Sequence, residues 1–449
     1  MANFFKSNVP QFSVDVYQNE FLPEGAGEVN AIVTVTSSGG GTMGRAVAAP
    51  HLYSPGEGPS AAVAIMVDCS GSMDYPATKM RNARDATAAA IDTLRDGVHF
   101  AVIGGTHVAK EVYPGAGRLA VADATTRDQA KQALRRLSAG GGTAIGTWLR
   151  LADRLLSSED VVIRHGILLT DGRNEHESHE DLKASLDACA GRFTCDARGV
   201  GTDWEVKEVT GIASALLGTA DIVADPAGLA ADFTRMMETA MGKEVADVAL
   251  RLWTPVGTTV KFVKQVAPTV EQLTDRRTES GPRAGDYPTG SWGDESRDYH
   301  VCVEVPAANI GQEMLAARVS LVVPQPDGST QPLVGAQGLV RAVWTEDMVA
   351  STSINPQVAH YTGQAELAQA IQQGLDLRKS GDFDGATAKL GRAVQLASAS
   401  GNADTAKLLA KVVDVVDAAT GTVRLKTKVA EADEMTLETR STKTVRVKK

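Results

Sequence analysis

Apolar positions repeat with different periods along the chain. Between residues 12 and 36 the period is two: Val14 and Val16 alternate with polar neighbours, and Val29, Ala31, Val33 and Val35 repeat the pattern, which predicts half-buried strands. The Ser/Gly run from Ser37 to Thr42 reads as a turn or linker. At Ala61 the pattern becomes continuous. Ala61 to Val67 is an unbroken apolar run of strand length, as expected of a strand buried on both faces. Helical spacing follows near Thr78 to Leu94, then a strand at FAVIGG, helices near Arg127 to Leu137 and Ala144 to Leu156, and a second buried strand in VVIRHGILLT. A helix from His179 to Cys189, a strand near Thr194 to Val200, a helix near Val206 to Leu217, the short run ADIVAD and a helix from Gly228 to Met241 complete the series. Strands alternating with helices predict an α/β domain, Rossmann-like, with a mainly parallel sheet.

After Lys243 the period of two returns, at Val248, Leu250 and Leu252, at Val260 and Phe262, at Val301, Val303 and Val305, and again over Val319 to Val323 and Leu339 to Trp344. A turn-rich loop from Glu279 to Asp298 is expected to interrupt these strands, which predict a β-sandwich. The early strands have no sheet of their own. Pairing them with the later ones makes the α/β domain an insertion in the sandwich, its ends leaving and returning close together. The expected organisation is residues 1–55 as N-terminal strands of the sandwich, 56–243 as the α/β domain, 244–350 as the rest of the sandwich, 356–421 as a helical appendage and 426–449 as a tail. In the appendage, GDFDGATAKLGRAVQLASASGN looks like part of a tetratricopeptide unit. Such repeats need stacked neighbours, and with one clear copy a three-helix appendage packed on the sandwich is preferred. The tail carries an acidic cluster (Glu431, Asp433, Glu434) followed by Thr436 and Thr439 among basic residues, and is expected to be mobile.

A chain of 449 residues is too long for one core and implies about two or three domains. With 43% hydrophobic and 22% charged residues it has ordinary globular composition. Forty-five basic against 55 acidic residues leave a net charge of −10. That balance repels phosphate backbones and anionic lipid, so neither nucleic acid nor membrane is expected as partner, although the C-terminus carries a local basic patch. The N-terminal stretch lacks the apolar core of a secretory signal, and no apolar run approaches a membrane span, so a cytoplasmic protein is expected. Cys69, Cys189, Cys195 and Cys302 form neither a CxxC pair nor a disulfide framework. Cys189 and Cys195 are close enough in sequence to meet, but buried thiols in a reduced compartment are preferred.

The candidate chemistry begins where the first buried strand ends, at Val67-Asp68-Cys69-Ser70-Gly71-Ser72. Ligands of open α/β sheets sit outside the C-terminal ends of the strands. Three oxygen side chains at alternate positions of a turning loop converge on one point, and Gly71 permits the turn. One carboxylate with two hydroxyls suits Mg²⁺, or Mn²⁺ in its place, which accepts oxygen ligands and keeps some waters. Zinc would want Cys or His, and Cys69 should point away, into the core. GGGTAIG offers Thr143 on a Gly-rich loop before a helix, and LLTDG offers Asp171 at the end of another buried strand.

This set, D-x-S-x-S followed by Thr and then Asp, resembles the metal-ion-dependent adhesion site of von Willebrand factor A domains, and the chain resembles that family from about Ala61 to Met241. The resemblance implies that Ser70, Ser72 and Thr143 contact the ion, directly or through water, while Asp68 and Asp171 act mainly through water or from behind the groups that touch the ion. An ion held by neutral hydroxyls keeps an electrophilic position, which an Asp or Glu of a protein partner fills with a charge-assisted bond. The expected function is therefore Mg²⁺-dependent binding rather than catalysis. The wider chain is similar to bacterial, actinobacterial proteins in which such a domain is embedded in a β-sandwich. Those are linked with Ser/Thr kinases, phosphatases and forkhead-associated (FHA) modules. Against that background, hydroxyls beside an acidic cluster and basic residues on a mobile end offer Thr436 or Thr439 to a kinase, for a phosphothreonine-binding module to read, while a plain solvated tail is the preferred reading.

Other readings meet specific obstacles. Gly141 to Gly146 is followed by Thr147 where a Walker A loop needs Lys. Asp68 stands where a nucleophile elbow needs Gly. A Mg²⁺ phosphohydrolase of the haloacid-dehalogenase type would want an acid at position 70; this remains the enzyme alternative, and a scaffold without a functional ion is the third reading. His176, Glu177, His179 and Glu180 have H-E-x-H spacing, one short of the zinc motif, and read as a charged helix start on the rim of the metal face. Trp292 and Tyr299 suit either an exposed interaction surface or packing at the edge of the sandwich.

Overall fold

The computed structural model describes residues 10–38, 59–325 and 328–447. The Ser/Gly linker after Ser38 and the N-terminal nine residues lie outside them. The chain separates into two compact units, one made of residues 1–10, 39–246 and 290–293, the other of 11–38, 247–289 and 294–449. In sequence order, most of the first unit lies between segments of the second.

In the first unit five parallel strands run in the order Ala220–Val223, Thr194–Val200, Ile163–Thr170, Ala61–Asp68, His99–Gly105, and Ala109–Tyr113 joins the edge antiparallel. The continuous apolar run Ala61–Val67 lies at the centre, buried along its whole length. Because side chains alternate across a strand, Ala61, Val63, Ile65 and Val67 share a core with the helices Thr78–Thr93, Ala124–Leu134 and Leu229–Met241. The helix Ile145–Leu156 lies on this sheet too and packs against His179–Cys189. The second of the expected helices begins about a turn earlier than its apolar spacing suggests. Asp123 accepts from the Thr126 N–H at 2.7 Å while the Thr126 hydroxyl accepts from Asp123 N–H, a reciprocal cap that fixes the start at Ala124.

The second unit contains most of two sheets, antiparallel but for one parallel pairing, Phe21–Leu22 with Thr330–Trp344. One has the order Gln11–Gln18, Glu28–Ser38, Glu295–Glu304, Thr259–Ala267, Glu271–Gln272, with Val33 opposite Tyr299 and Val29 opposite Val303. The early strands thus pair with late ones. The other sheet has the order Thr278–Gly281, Ala284–Trp292, Val245–Trp253, Glu313–Pro324, Thr330–Trp344, Phe21–Leu22. A carbon on Gly338 would stand 2.5 Å from Val16 Cγ2, so the missing side chain lets Gln11–Gln18 lie close against Thr330–Trp344. Much of the expected loop from Glu279 to Asp298 is strand instead. Its Gly, Pro and Ser residues obscured a strand, Ala284–Trp292, that carries two fully buried aromatics, Tyr287 and Trp292. Tyr299 is fully buried as well, so the aromatics of this stretch are core and not surface.

The helix Pro356–Ser380 places Val358 and Tyr361 on Ile32, Val266 and Ala267. It packs along Phe383–Ser400, where a carbon on Gly374 would stand 2.7 Å from Leu390 Cγ. A shorter helix, Ala403–Val412, follows. Two expectations need correction here. Residues 413–425 are a hairpin, Val413–Asp417 with Thr422–Leu425, because VDVV alternates β-branched residues and Gly421 takes φ +71° in the turn. The segment after 426 is not a mobile tail: Glu431–Arg440 is a helix with Met435 and Leu437 buried. Arg446 then reaches back to Asp298 with Nε at 3.0 Å and a second nitrogen at 2.7 Å. The same carboxylate accepts from Tyr361 and from Thr34 Oγ1, so one buried acid ties strand, helix and terminus together. Thr439 is 4% exposed and donates to Met435 O at 2.7 Å, while half-buried Thr436 donates to Ala432 O. As placed, the Thr439 hydroxyl is closed to a kinase, and that of Thr436 is tied back into its own helix.

Candidate metal centre

The C-terminal ends of the central strands place the candidate residues. Asp68 closes the strand Ala61–Asp68, and Asp171 follows the neighbouring strand Ile163–Thr170; both are 0% exposed. Beyond Asp68 the chain must turn at once, because the Gly71 N–H donates to Gly141 O at 2.9 Å and the Gly140 N–H to Cys69 O at 2.8 Å. These bonds fasten the 68–72 loop to the Gly-rich loop that carries Thr143. Cys69, alternating with its neighbours, points into the core.

All five candidates come together. Asp68 Oδ1 accepts from the Ser70 N–H at 2.8 Å, and its Oδ2 accepts from the Thr170 hydroxyl at 2.7 Å and from the Asp171 N–H at 3.3 Å. Asp68 thus fixes the loop from behind. The Ser70 and Ser72 hydroxyls lie 3.0 Å apart, and Ser72 donates to Asp171 Oδ1 at 2.7 Å. A carbon built on Gly172 would stand 3.2 Å from Ser72 Oγ, 3.7 Å from Thr143 Oγ1 and 3.9 Å from Ser70 Oγ. The missing side chain of Gly172 therefore leaves a space on which three hydroxyls converge. Burial pushes the Asp68 carboxyl up to about 6 against the lowering effect of its Ser70 and Thr170 hydrogen bonds. Two buried carboxylates with three hydroxyls are an all-oxygen set that fits a hard divalent cation such as Mg²⁺ or Mn²⁺. Among the described residues no three His, Cys, Asp or Glu side chains gather as a metal cluster.

The H-E-x-H stretch has another use. The Glu177 carboxylate accepts from the Gly146 N–H at 2.9 Å, and Asn174 Oδ1 from the Ile145 N–H at 2.8 Å. Together they cap the helix Ile145–Leu156 from another loop. The exposed His176 accepts from the Thr143 N–H at 3.3 Å, and it lies so close over Gly142 that any side chain there would overlap it. These groups hold Thr143 in place. His179 and Glu180 are exposed in the first turn of the next helix.

One residue at the centre escaped the sequence reading. Lys79, 7% exposed, donates to Asp171 Oδ2 at 2.7 Å and to Asp203 Oδ2 at 3.3 Å. Burial lowers its pKa, but the bond and charge of Asp171, and after it Asp203, outweigh burial and hold the ammonium above its ordinary value. Nothing in the spacing separates Lys79 from a solvated lysine at a helix start. Only its closeness to the D-x-S-x-S loop is a signal.

A family model described as the von Willebrand factor type A domain matches residues 61–222, and one described as the von Willebrand factor type A C-terminal domain matches residues 395–441. Among solved structures, a von Willebrand factor type A protein from Catenulispora acidiphila is 51% identical, with 99% of this chain and 100% of that chain covered and a TM-score of 0.90. The ArnB paralog VWA2 from Sulfolobus acidocaldarius is 14% identical over 96% of this chain and 98% of its own, with a TM-score of 0.57, a likeness of fold. Among curated proteins none matches.

Proposed function

Because the chain belongs to the von Willebrand factor type A family, whose domains typically mediate protein–protein interaction, we propose that it is a divalent-cation-dependent protein-binding adaptor and not an enzyme. Asp68, Ser70, Ser72, Thr143 and Asp171 would hold Mg²⁺, or Mn²⁺ in its place. The bound ion would supply a positive anchor for an Asp or Glu of the partner. What the chain itself contributes is preorganisation. Asp68 locks the 68–72 loop through three accepted hydrogen bonds, Ser72 is oriented by Asp171, and His176 and Glu177 fix the loop carrying Thr143. The observation that carries the reading is the convergence of three neutral hydroxyls beside Gly172, backed by two buried carboxylates. Neutral donors leave a divalent ion under-neutralised and ready for an outside acid.

A pull-down from cytosol, the compartment suggested by four unpaired buried thiols, tests it. Thr143→Val keeps the side-chain shape and removes the hydroxyl. A partner retained by the wild type in Mg²⁺, released by chelator and not retained by the variant is the expected outcome. The eluate is searched for Ser/Thr kinases, phosphatases and FHA proteins, the partners expected if the chain works in a signalling assembly. Capture indifferent to both chelator and Thr143→Val would refute metal-dependent binding, and Mg²⁺-dependent turnover of a phosphate ester would replace the adaptor by a hydrolase.

A further inference from the structure

Lys79 stands in the first turn of the helix Thr78–Thr93, where the positive end of the helix dipole disfavours a cation. It is nonetheless buried. A buried ammonium in that position requires a compensating anion, and Asp171 supplies it at 2.7 Å, with Asp203 at 3.3 Å holding the same nitrogen from the exposed side. Asp171 in turn divides its two oxygens between Ser72 and Lys79. The carboxylate that completes the oxygen set is therefore already half committed to a cation belonging to the chain.

We propose that Lys79 is the internal counter-ion of the metal centre, competing with the divalent cation for Asp171 and so setting its affinity; this rests on the reading of the site given above. Two consequences follow from the charges. First, Asp68 and Asp171 are buried side by side and repel each other, and Lys79 offsets that repulsion, so the loops keep their arrangement with no divalent ion. Second, the two buried carboxylates, Asp68 and Asp171, against one ammonium leave a single net negative charge where the ion would sit, the exposed Asp203 being screened by solvent. A doubly charged ion then exceeds it by one. That surplus is what an acid of a partner protein meets. Lys79 thereby lowers the affinity for the ion and raises the attraction of the loaded site for an anion.

The test is isothermal titration of chelator-treated protein with MgCl₂, with melting measured in chelator and in Mg²⁺, for the wild type and Lys79→Met. Lys79→Met is expected to bind Mg²⁺ at least tenfold more tightly, about 1.4 kcal/mol. It should melt lower than the wild type in chelator and gain more on adding Mg²⁺. Should Lys79→Met fail to fold, Lys79→Gln, which keeps a donor near Asp171 without the charge, carries the same comparison. Equal or weaker Mg²⁺ binding by a folded variant, beside a wild type that binds, overturns the counter-ion role and leaves the metal site standing. No binding by either protein overturns both.

Discussion

Gly172→Ala tests the geometry of the centre with one methyl group. Gly172 directly follows Asp171, and its φ is not in the left-handed region, so alanine meets no backbone strain there. The added carbon would lie 3.2 Å from Ser72 Oγ, a few tenths of an ångström closer than usual, and at ordinary contact distances of 3.7 and 3.9 Å from Thr143 Oγ1 and Ser70 Oγ. Ser72 is exposed and can yield by that amount. The loss of chain entropy in the unfolded state favours alanine by about 0.4–1 kcal/mol, which roughly offsets the crowding, so stability should change by less than about 1 kcal/mol. Binding is another matter. Mg²⁺ holds its oxygen ligands at roughly 2.0–2.1 Å and tolerates little distortion, and an apolar carbon within 4 Å of all three hydroxyls abuts the space on which they converge. A tenfold or greater loss of Mg²⁺ affinity is expected, about 1.4 kcal/mol or more. Titration calorimetry reads the affinity, and calorimetric melting in chelator reads the fold. A folded Gly172→Ala protein that takes up Mg²⁺ like the wild type would show that the three hydroxyls are not the cradle of the ion.

Three further substitutions probe each unit separately, Gly105 in the α/β unit and Asp298 and His300 in the other. Gly105→Ala would place a carbon 2.2 Å from the indole of Trp148, which is buried and donates to Thr106 O at 2.7 Å; overpacking should cost about 3 kcal/mol in urea unfolding of the α/β unit, and an unchanged midpoint would contradict the packing. Asp298→Ala strips Tyr361, Thr34 and Arg446 of their shared acceptor, so a loss of about 2–4 kcal/mol and faster amide exchange across residues 431–447 are expected, whereas retained protection would refute the clamp. Burial, and after it the Lys264 charge, lowers His300 from 6.5 to about 4. The unfolded chain therefore takes up this proton first, and the stability present above about pH 6.5 is lost as pH falls toward 4, at most about 3 kcal/mol. His300→Gln should flatten that part of the pH profile of unfolding, and an unaltered profile would show that His300 does not carry it.

The sequence by itself determined what depends on short-range pattern. The continuous run before Asp68 announced a central strand buried on both faces. The two periods separated the α/β series from the sandwich strands. D-x-S-x-S, GGGTAIG and LLTDG each end or begin an element whose type was readable, and that placed Asp68, Thr143 and Asp171 together outside the C-terminal ends of the strands of a parallel sheet. The same local logic failed where local composition misled. Gly, Pro and Ser hid the strand Ala284–Trp292, and a polar tail with hydroxyls and charges looked mobile although Asp298, 148 residues away from Arg446, holds it. Only the tertiary structure decided which charges meet. Lys79 finds Asp171 across 92 residues, and Glu177 caps a helix whose first turn lies 31 residues before it. A strand or helix imprints its period on consecutive residues because its backbone repeats. An ion pair or a long-range cap involves one residue from each of two distant segments and leaves no repeat, so a buried lysine at a metal centre and a solvated one at a helix start look alike until the chain has folded.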